Sequence, residues 1–437
     1  MQYLRNNFWE GVPQNTMYAS VSPKMSNRNI FNNSNVYKYY AGYSDNFVVS
    51  QLYKNTELSK DSVILDPWNG SGTTTFVSSV LGYRSYGFDI NPVMTIVAKS
   101  KLYYPSYNDV GEIKKALSVI KKIRKRSYCD DPLQIWFDAN TANAIREIEL
   151  VIRYICDFYN DTYMKFLLDF NNLSPRLAFY YVTLFELLRE YTASFTGSNP
   201  TWIKTAKNET EKIHKNYQQI CEDFYAKLET LICLLDIKTD SNITKIQTGD
   251  SRKIQLTDDS VDCVITSPPY CTRIDYAVYT RVELALVGYV ANEFDEIRRG
   301  MIGTPTIKDT DETTSERMNA WDDVLQQIRD HDSKAASSYY YKTYYQYGFD
   351  MERSISEICR IMKVNGIVIM VIQDSWFKNI HINVPMIICK SFENHRFDVI
   401  SMNSESVNNN MKYINTRSRQ YGNNQNYEAI LTMRKRG

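Results

Sequence analysis

The sequence predicts an α/β fold, a doubly wound and mostly parallel sheet of about seven strands carrying an inserted, mainly helical subdomain. Strand and helix patterns alternate from Val63 to Lys101, as in stacked β-α-β units. That alternation stops over residues 101–245, where helical segments dominate and strand signals are few, and resumes at Ile246. Glycine is scarce, 16 in 437 residues, yet four glycines fall at positions 70, 72, 82 and 87. Such a cluster marks a tight backbone site.

Each element has a local cause. Val63–Asp66 is a short apolar run ending in an acid, a buried strand. The segment from Gly72 to Leu81 reads as a helix, and Tyr83–Asp89 as the second strand. Asn91 and Pro92 supply an N-cap and a first-turn proline for a helix reaching Lys101. In the insertion, Ala139–Phe158, Pro175–Tyr191 and Ile203–Leu235 read as helices. Ile113, Leu117, Ile120 and Ile123 recur at helical spacing, and Lys114, Lys115, Lys121, Lys122, Arg124, Lys125 and Arg126 give that helix a basic face. Such a face is either solvated or in contact with phosphate. After Ile246, Ile246–Thr248 and Val261–Thr266 read as strands, and residues 291–345 form a polar segment. Phe349–Met362 follows as a helix, Lys363–Gly366 as a turn, and Ile367–Gln373, Phe397–Ser401 and Tyr427–Met433 as strands. The organisation expected is 1–100 and 246–437 as two halves of one domain, with 101–245 inserted between them.

Composition narrows the classes. Hydrophobic residues make up 43% and charged residues 23%, with 51 basic and 50 acidic side chains. These are globular values, which exclude disorder, collagen and coiled coil. No apolar run reaches the ~18 residues of a membrane helix, and the start lacks a signal-peptide core. A cytoplasmic protein is expected. The eight cysteines form no C-x-x-C pair and the histidines number four, so no protein-bound metal is expected.

Four motifs carry chemistry. The first, Asp66-Pro67-Trp68-Asn69-Gly70-Ser71-Gly72-Thr73-Thr74, leaves a strand and opens a helix, where free N–H groups collect. It lacks the Gly-Lys-Ser/Thr of a phosphate loop and is not G-x-G-x-x-G. Its leading acid suits a ligand with a cationic or hydroxyl-bearing part. The second, Gly87-Phe88-Asp89-Ile90-Asn91, puts an acid at the next strand end, where ribose hydroxyls are bound in other doubly wound sheets. The third, Thr248-Gly249-Asp250-Ser251, is another acid at a strand end, or a simple Asx turn. The fourth, Thr266-Ser267-Pro268-Pro269-Tyr270, is the most specific. Ser267 and the Pro268 carbonyl can both accept from one amino group, and Tyr270 can stack on a planar ring.

On these residues the chain resembles the amino-DNA methyltransferases that use S-adenosylmethionine. The resemblance covers about 40–102 and 246–290 and implies a Rossmann-like methyltransferase sheet. It implies that Asp66, Pro67, Trp68, Asn69, Gly70, Gly72 and Thr73 hold the methionine end of the cofactor. Asp89 and Ile90 would lie at the ribose, Asp250 and Ser251 at the adenine, and Tyr40–Phe47 would cover the site. Ser267, Pro268, Pro269 and Tyr270 would form the catalytic tetrad, acting on a base flipped out of duplex DNA. A cytosine-C5 enzyme needs Pro-Cys, which the chain lacks. The Ser-first tetrad favours cytosine N4 over adenine N6. The implied setting is restriction-modification or phage defence, with a cognate endonuclease or defence partner. An RNA amino-methyltransferase and a non-catalytic cofactor-binding subunit are the alternatives.

Residues 101–245 depart from the family's usual layout and are the first candidate for reading DNA, with 291–345 the second. The loop Phe195–Trp202 either touches DNA or caps a helix. Arg273, Asp275, Arg281 and Glu283 either orient the flipped nucleotide or form salt bridges. Gln373, Asp374 and Ser375 fall near the same rim, and Arg417, Arg419 and Arg434–Arg436 are candidate phosphate contacts.

Overall fold

The computed structural model describes residues 22–23, 29–39, 42–106, 108–120, 130–157, 169–197, 202–271, 275–307, 318–407 and 426–437. Helix α1 (Asp45–Lys54) begins where the Ser44 hydroxyl accepts the Phe47 N–H. Five strands then run parallel: β1 (Val63–Asp66), β2 (Arg84–Asp89), β3 (Thr244–Thr248), β4 (Val261–Thr266) and β5 (Met362–Gln373). A small hairpin, β6 (Ser375–Phe377) and β7 (Ile380–Ile382), stands apart from the main sheet. The edge is closed by β8 (Phe397–Val407) and β9 (Asn426–Lys435), with β9 antiparallel to both neighbours. The order is β3-β2-β1-β4-β5-β9-β8. The chain therefore winds outward one way from β1 and the other way from β4. Their carboxyl ends form the crevice where doubly wound sheets bind ligands, and all four motifs leave strands at that end.

Helices α2 (Thr73–Val80) and α3 (Pro92–Ser100) follow β1 and β2. The Asn91 side chain accepts the Val93 N–H at 3.1 Å, with Pro92 in the first turn. Alternation within the strands divides the core. Ile64, Cys263, Ile265, Ile367 and Ile369 face one apolar layer with Phe47 and Phe76. Leu65, Val264, Val368 and Met370 face the other, with Met351 and Ile355. This is the two-residue period of a sheet covered on both sides.

The insertion contains α4 (Asp109–Ile120), α5 (Ala139–Ile155), α6 (Pro175–Tyr191) and α7 (Tyr217–Ile232). Asp138, Ser174 and Asn216 cap the last three. Val93, Ile96 and Val97 of α3 share one apolar cluster with Ile145, Ile148, Leu177 and Leu184, so the insertion is packed against the sheet domain. The expected helix Ile203–Leu235 is α-helical only over Tyr217–Ile232. Ile213 instead bridges to Phe137, donating its N–H to Trp136 at 2.9 Å. The Asn208 side chain takes the N–H groups of Thr210 and Glu211, a local turn that competes with helix. Lys114 on α4 pairs with Glu229 at 2.9 Å; Lys121–Arg126 lie outside the described residues.

Helices α8 (Tyr276–Tyr279) and α9 (Arg281–Leu286) precede the polar segment, which contains α10 (Ala291–Gly300) and α11 (Asp322–Asp330). Helix α12 (Tyr341–Ile361) starts at Tyr341 rather than Phe349, and α13 (Val384–Asn394) leads into β8. The expected turn Lys363–Gly366 is a bulge inside β5. Val261 pairs with Met362, but Cys263 pairs with Ile367. The bulge needs Asn365 at φ 65°, and a Cβ on Gly366 would sit 2.8 Å from the Lys363 carbonyl oxygen. Lys363 binds the Asp262 carboxylate across it, at 2.8 and 3.0 Å. Among the described residues no helix is long and apolar enough to cross a membrane.

Candidate active site

One cleft of about 880 Å³ opens at the carboxyl ends of β1 and β4. Its walls include Pro67, Trp68, Asn69, Gly70 and Thr73 from the first motif, and Asp89 and Ile90 from the second. Gly249, Asp250 and Ser251 come from the third and Ser267, Pro268, Pro269 and Tyr270 from the fourth. Asp66 and Gly72, both expected at the cofactor, lie behind this wall. The fold therefore gathers on one surface four loops separated by up to two hundred residues.

The first turn is held by backbone geometry. Gly70 and Gly72 have φ of 46° and 81°, a region costly for other residues. A Cβ on Gly72 would lie 2.5 Å from the Ala98 Cβ. The Asn69 N–H donates to the Phe88 carbonyl at 2.9 Å, and Gly72 donates to the Asn69 carbonyl at 2.7 Å. The Asn69 carbonyl oxygen of the side chain accepts from Thr75 at 3.0 Å. A Cβ on Gly87 would collide with the Asn69 amide at 2.5 Å, so that glycine makes room for the turn.

Asp66 is buried and accepts from Thr266 (2.6 Å), Tyr43 (2.9 Å) and the Trp68 N–H (3.2 Å). Burial raises its pKa to about 6, and these hydrogen bonds oppose the rise. Its oxygens are thus committed to fixing the turn. Tyr43 also meets the Thr74 hydroxyl and, at 3.3 Å, the Ile265 carbonyl. Asp89 is half-buried on the cleft wall. It accepts the Gly70 N–H and the Asn91 N–H, both at 2.8 Å. Desolvation raises its pKa to about 6, against those two bonds and with a smaller push from Asp66.

Asp250 is gripped by Arg252, which donates from Nε at 2.9 Å and Nη2 at 2.7 Å. The same guanidinium reaches Asp350 at 2.7 Å and the Gly300 carbonyl at 2.8 Å. It ties α12 and the end of α10 to the third motif. The Ser251 hydroxyl is engaged with Ser354 at 3.0 Å.

In the tetrad, the Tyr270 hydroxyl donates to Glu428 on β9 at 3.0 Å, and its N–H donates to the Tyr276 hydroxyl at 3.4 Å. Tyr347 donates to the Pro269 carbonyl at 3.0 Å. Neither the Ser267 hydroxyl nor the Pro268 carbonyl has a hydrogen-bond partner among the described residues. Both line the cleft with the anchored Tyr270 ring.

Several wall residues carried no sequence signal: Tyr39, Met94, Tyr276, Gly300, Met301 and Ile302. Met94 lies in the first turn of α3, a helical position like any other. Gly300–Ile302 sit in the polar segment and reach the cleft through the Arg252 contact. Of the candidate covering segment, Tyr43 and Gly42 line the cleft, and Tyr40 lies outside the described residues.

The charged residues after the tetrad form salt bridges and packing contacts. Asp275 pairs with Arg298 at 2.6 Å, and Glu283 is buried against Arg189. Arg281 stacks over Phe294 at 5.0 Å. Asp374 is buried and binds His381 at 2.7 Å, and the Ser375 hydroxyl donates to the Cys271 carbonyl at 3.5 Å. Arg434, Lys435 and Arg436 pair with Glu57, Asp259 and Asp398. Arg273, Arg417, Arg419 and residues 198–201 lie outside the described residues.

No protein-family model matches the chain. Curated relatives do. The methyltransferase M.BsoBI of Geobacillus stearothermophilus is 26% identical over 293 residues, which is 61% of this chain and 54% of that protein. The chain resembles type II methyltransferases. M.AvaI of Nostoc is 23% identical over 61% of this chain and 56% of its own length. M.MvaI of Kocuria varians is 22% identical over 76% of this chain and 74% of its own. The chain thus spans about half the length of the first two relatives. The motifs and the longer matched segments both resemble methyltransferases, and the sheet is the seven-stranded, mostly parallel, doubly wound one expected.

Proposed function

We propose that the chain is a DNA methyltransferase that moves a methyl group from S-adenosylmethionine to the exocyclic N4 amine of a flipped cytosine. The observation that carries this reading is one cleft wall shared by Pro67–Gly70, Asp89 and the tetrad Ser267–Tyr270. The residues suit the cofactor. Asp89 offers carboxylate oxygen for the ribose diol, and Asp250 offers it for the adenine amine. Ile90, Met94 and Ile302 form apolar walls for a flat ring. Pro67, Trp68, Asn69, Gly70 and Thr73 line the end proposed for the methionine portion. Asp66 and Gly72 act from behind, the first through Tyr43 and the Trp68 N–H, the second through packing on Ala98.

When bound, S-adenosylmethionine supplies an electrophilic methyl on a sulfonium. The protein's share is to prepare the amine. Its nitrogen lone pair is delocalised into the ring, and acceptance of both N–H groups by Ser267 and Pro268 favours a tetrahedral nitrogen. Positioning supplies most of the rate effect, and acceptors aimed at the charge developing on nitrogen supply more. Flipping the base costs a few kcal/mol; stacking on Tyr270, held by Glu428, offsets about 1–3 kcal/mol of it. The choice of cytosine N4 over adenine N6 rests on the serine that opens the tetrad.

The proposal extends to a restriction-modification or phage-defence setting in the cytoplasm, with a cognate endonuclease as partner. Residues 101–245 are proposed to read DNA, since α5 and α6 pack on α3 and α9 beside the cleft. The test is transfer of labelled methyl to methyl-free DNA, followed by nucleoside mass spectrometry. N4-methylcytosine is the expected product. N6-methyladenine would overturn the choice of base alone, and label confined to RNA would overturn the substrate.

A further inference from the structure

Resting on the cofactor role proposed for the cleft, we infer that Arg189 is a positioning residue that clasps the peptide before Tyr39 to the helix after the tetrad. It thereby holds two walls of the cleft at a fixed separation. Arg189 sits near the end of α6, in the helical insertion, remote in sequence from both elements that it joins. Its Nη1 donates to the Lys38 carbonyl at 3.0 Å and to the Tyr279 hydroxyl at 2.9 Å. Its Nη2 donates to the Tyr37 hydroxyl and its Nε to Glu283. The guanidinium also lies between two rings, 4.3 Å from the centre of Tyr37 and 4.4 Å from that of Tyr279. The Tyr279 hydroxyl donates to the same Lys38 carbonyl at 2.8 Å.

The consequences lie one residue along the chain on one side and three on the other. Tyr39 lines the cleft, stands edge-on to Tyr279 at 5.9 Å, and packs so that a Cβ on Gly70 would be 3.2 Å from its ring. Tyr276, in the same short helix as Tyr279, also lines the cleft and accepts the Tyr270 N–H. The buried Glu283 carboxylate needs only a cation, which a lysine supplies. The planar fork and its two stacked rings go further, and their remaining contacts all fall on Tyr37, Lys38 and Tyr279. A lysine cannot reproduce that fork.

The test therefore keeps the charge. Arg189→Lys and Tyr279→Phe are compared with Arg153→Lys. Arg153 binds Glu149 at 2.8 Å and the Tyr181 hydroxyl at 2.9 Å within the same helical layer. The probe is S-adenosylhomocysteine, titrated calorimetrically into each folded full-length protein. Arg189→Lys is expected to weaken binding about tenfold, the loss of one preorganised wall. Its KM for S-adenosylmethionine should rise in step, with kcat at saturation nearly unchanged. Tyr279→Phe, which leaves the Arg189–Glu283 pair intact, shifts affinity the same way by less. Arg153→Lys leaves the affinity as it was. Wild-type affinity in Arg189→Lys, or equal weakening in Arg153→Lys, overturns the inference alone. Absence of binding by the wild-type protein overturns the cofactor reading and the inference with it.

Discussion

Replacing Gly72 by alanine tests the structural account of the first turn, because two separable costs meet at that position. At φ 81° any L side chain carries a left-handed backbone penalty, about 1–2 kcal/mol. The added Cβ would also lie 2.5 Å from the Ala98 Cβ and 2.8 Å from its Cα. Neither atom is the end of a flexible side chain, so α2 and α3 must separate, at about 1–3 kcal/mol. The sum is about 2–5 kcal/mol, a large share of the 5–15 kcal/mol typical of a whole protein. Gly82 is the internal control. Its φ is 74°, and a Cβ there would meet nothing within 4 Å. Gly82→Ala should carry the backbone penalty alone. Urea unfolding of both variants, with equal m-values, isolates the steric cost as the difference in midpoint. Gly72→Ala should also weaken S-adenosylhomocysteine binding, since Met94, one turn before Ala98, lines the cleft. Equal midpoints for the two variants would refute the claim that packing against α3 dictates glycine at this position.

Further outcomes follow from other contacts. Ser267→Ala should lower transfer at least a hundredfold, roughly the cost of one preorganised acceptor, while binding of S-adenosylhomocysteine is unchanged; full activity would remove the tetrad from the mechanism. Glu428→Ala should lower transfer in the wild-type background but add nothing to Tyr270→Phe, because both changes break the same hydrogen bond; additive losses in the double variant would count against it. The raised pKa of Asp89, about 6, gives a pH signature. A carboxyl whose folded pKa exceeds its unfolded value contributes stability below the unfolded value, and that contribution is lost as pH rises through about 6. Affinity runs the other way: the ribose needs the carboxylate, so S-adenosylhomocysteine binding should weaken as pH falls through about 6. Asp89→Asn should flatten that profile, and a slope retained in the variant would shift the effect to Asp66. Arg146→Met should destabilise by about 3–5 kcal/mol in chemical unfolding, because it strands the buried Asp131, which Arg146 binds at 2.8 Å in the core of the insertion, while Glu149 keeps Arg153.

The alternating core was legible because its signals are local. Val63–Asp66 and Val261–Thr266 are short, mostly apolar runs closed by an acid or threonine, and Asn91-Pro92 caps and opens the helix that follows it. The motif loops were legible for the same reason, since glycine and proline act on their own backbone. The segment Ile203–Leu235 misled because the helical spacing of its second half does not extend over residues 203–216, where the Asn208 turn and the bridge from Ile213 to Phe137 take over. The bulge at Lys363–Gly366 misled because the same glycine serves a turn or a strand irregularity. The partner strand decides between them.

The sequence by itself determined the order of strands and helices, the sharp turns at Gly70 and Gly72, and the four loops that bear chemistry. These depend on residues within a few positions of one another. Only the tertiary structure decided which acids face the cleft. Asp66 and Asp89 look alike in the chain, yet Asp66 is consumed by Thr266 and Tyr43 while Asp89 stays on the wall. Tertiary structure also brought Tyr39, Tyr276 and Ile302 to the same cleft, and set Arg189 and Glu428 behind the rings they hold. Those pairings join residues far apart in the chain, and the contact exists only once the sheet has brought the carboxyl ends of its strands together.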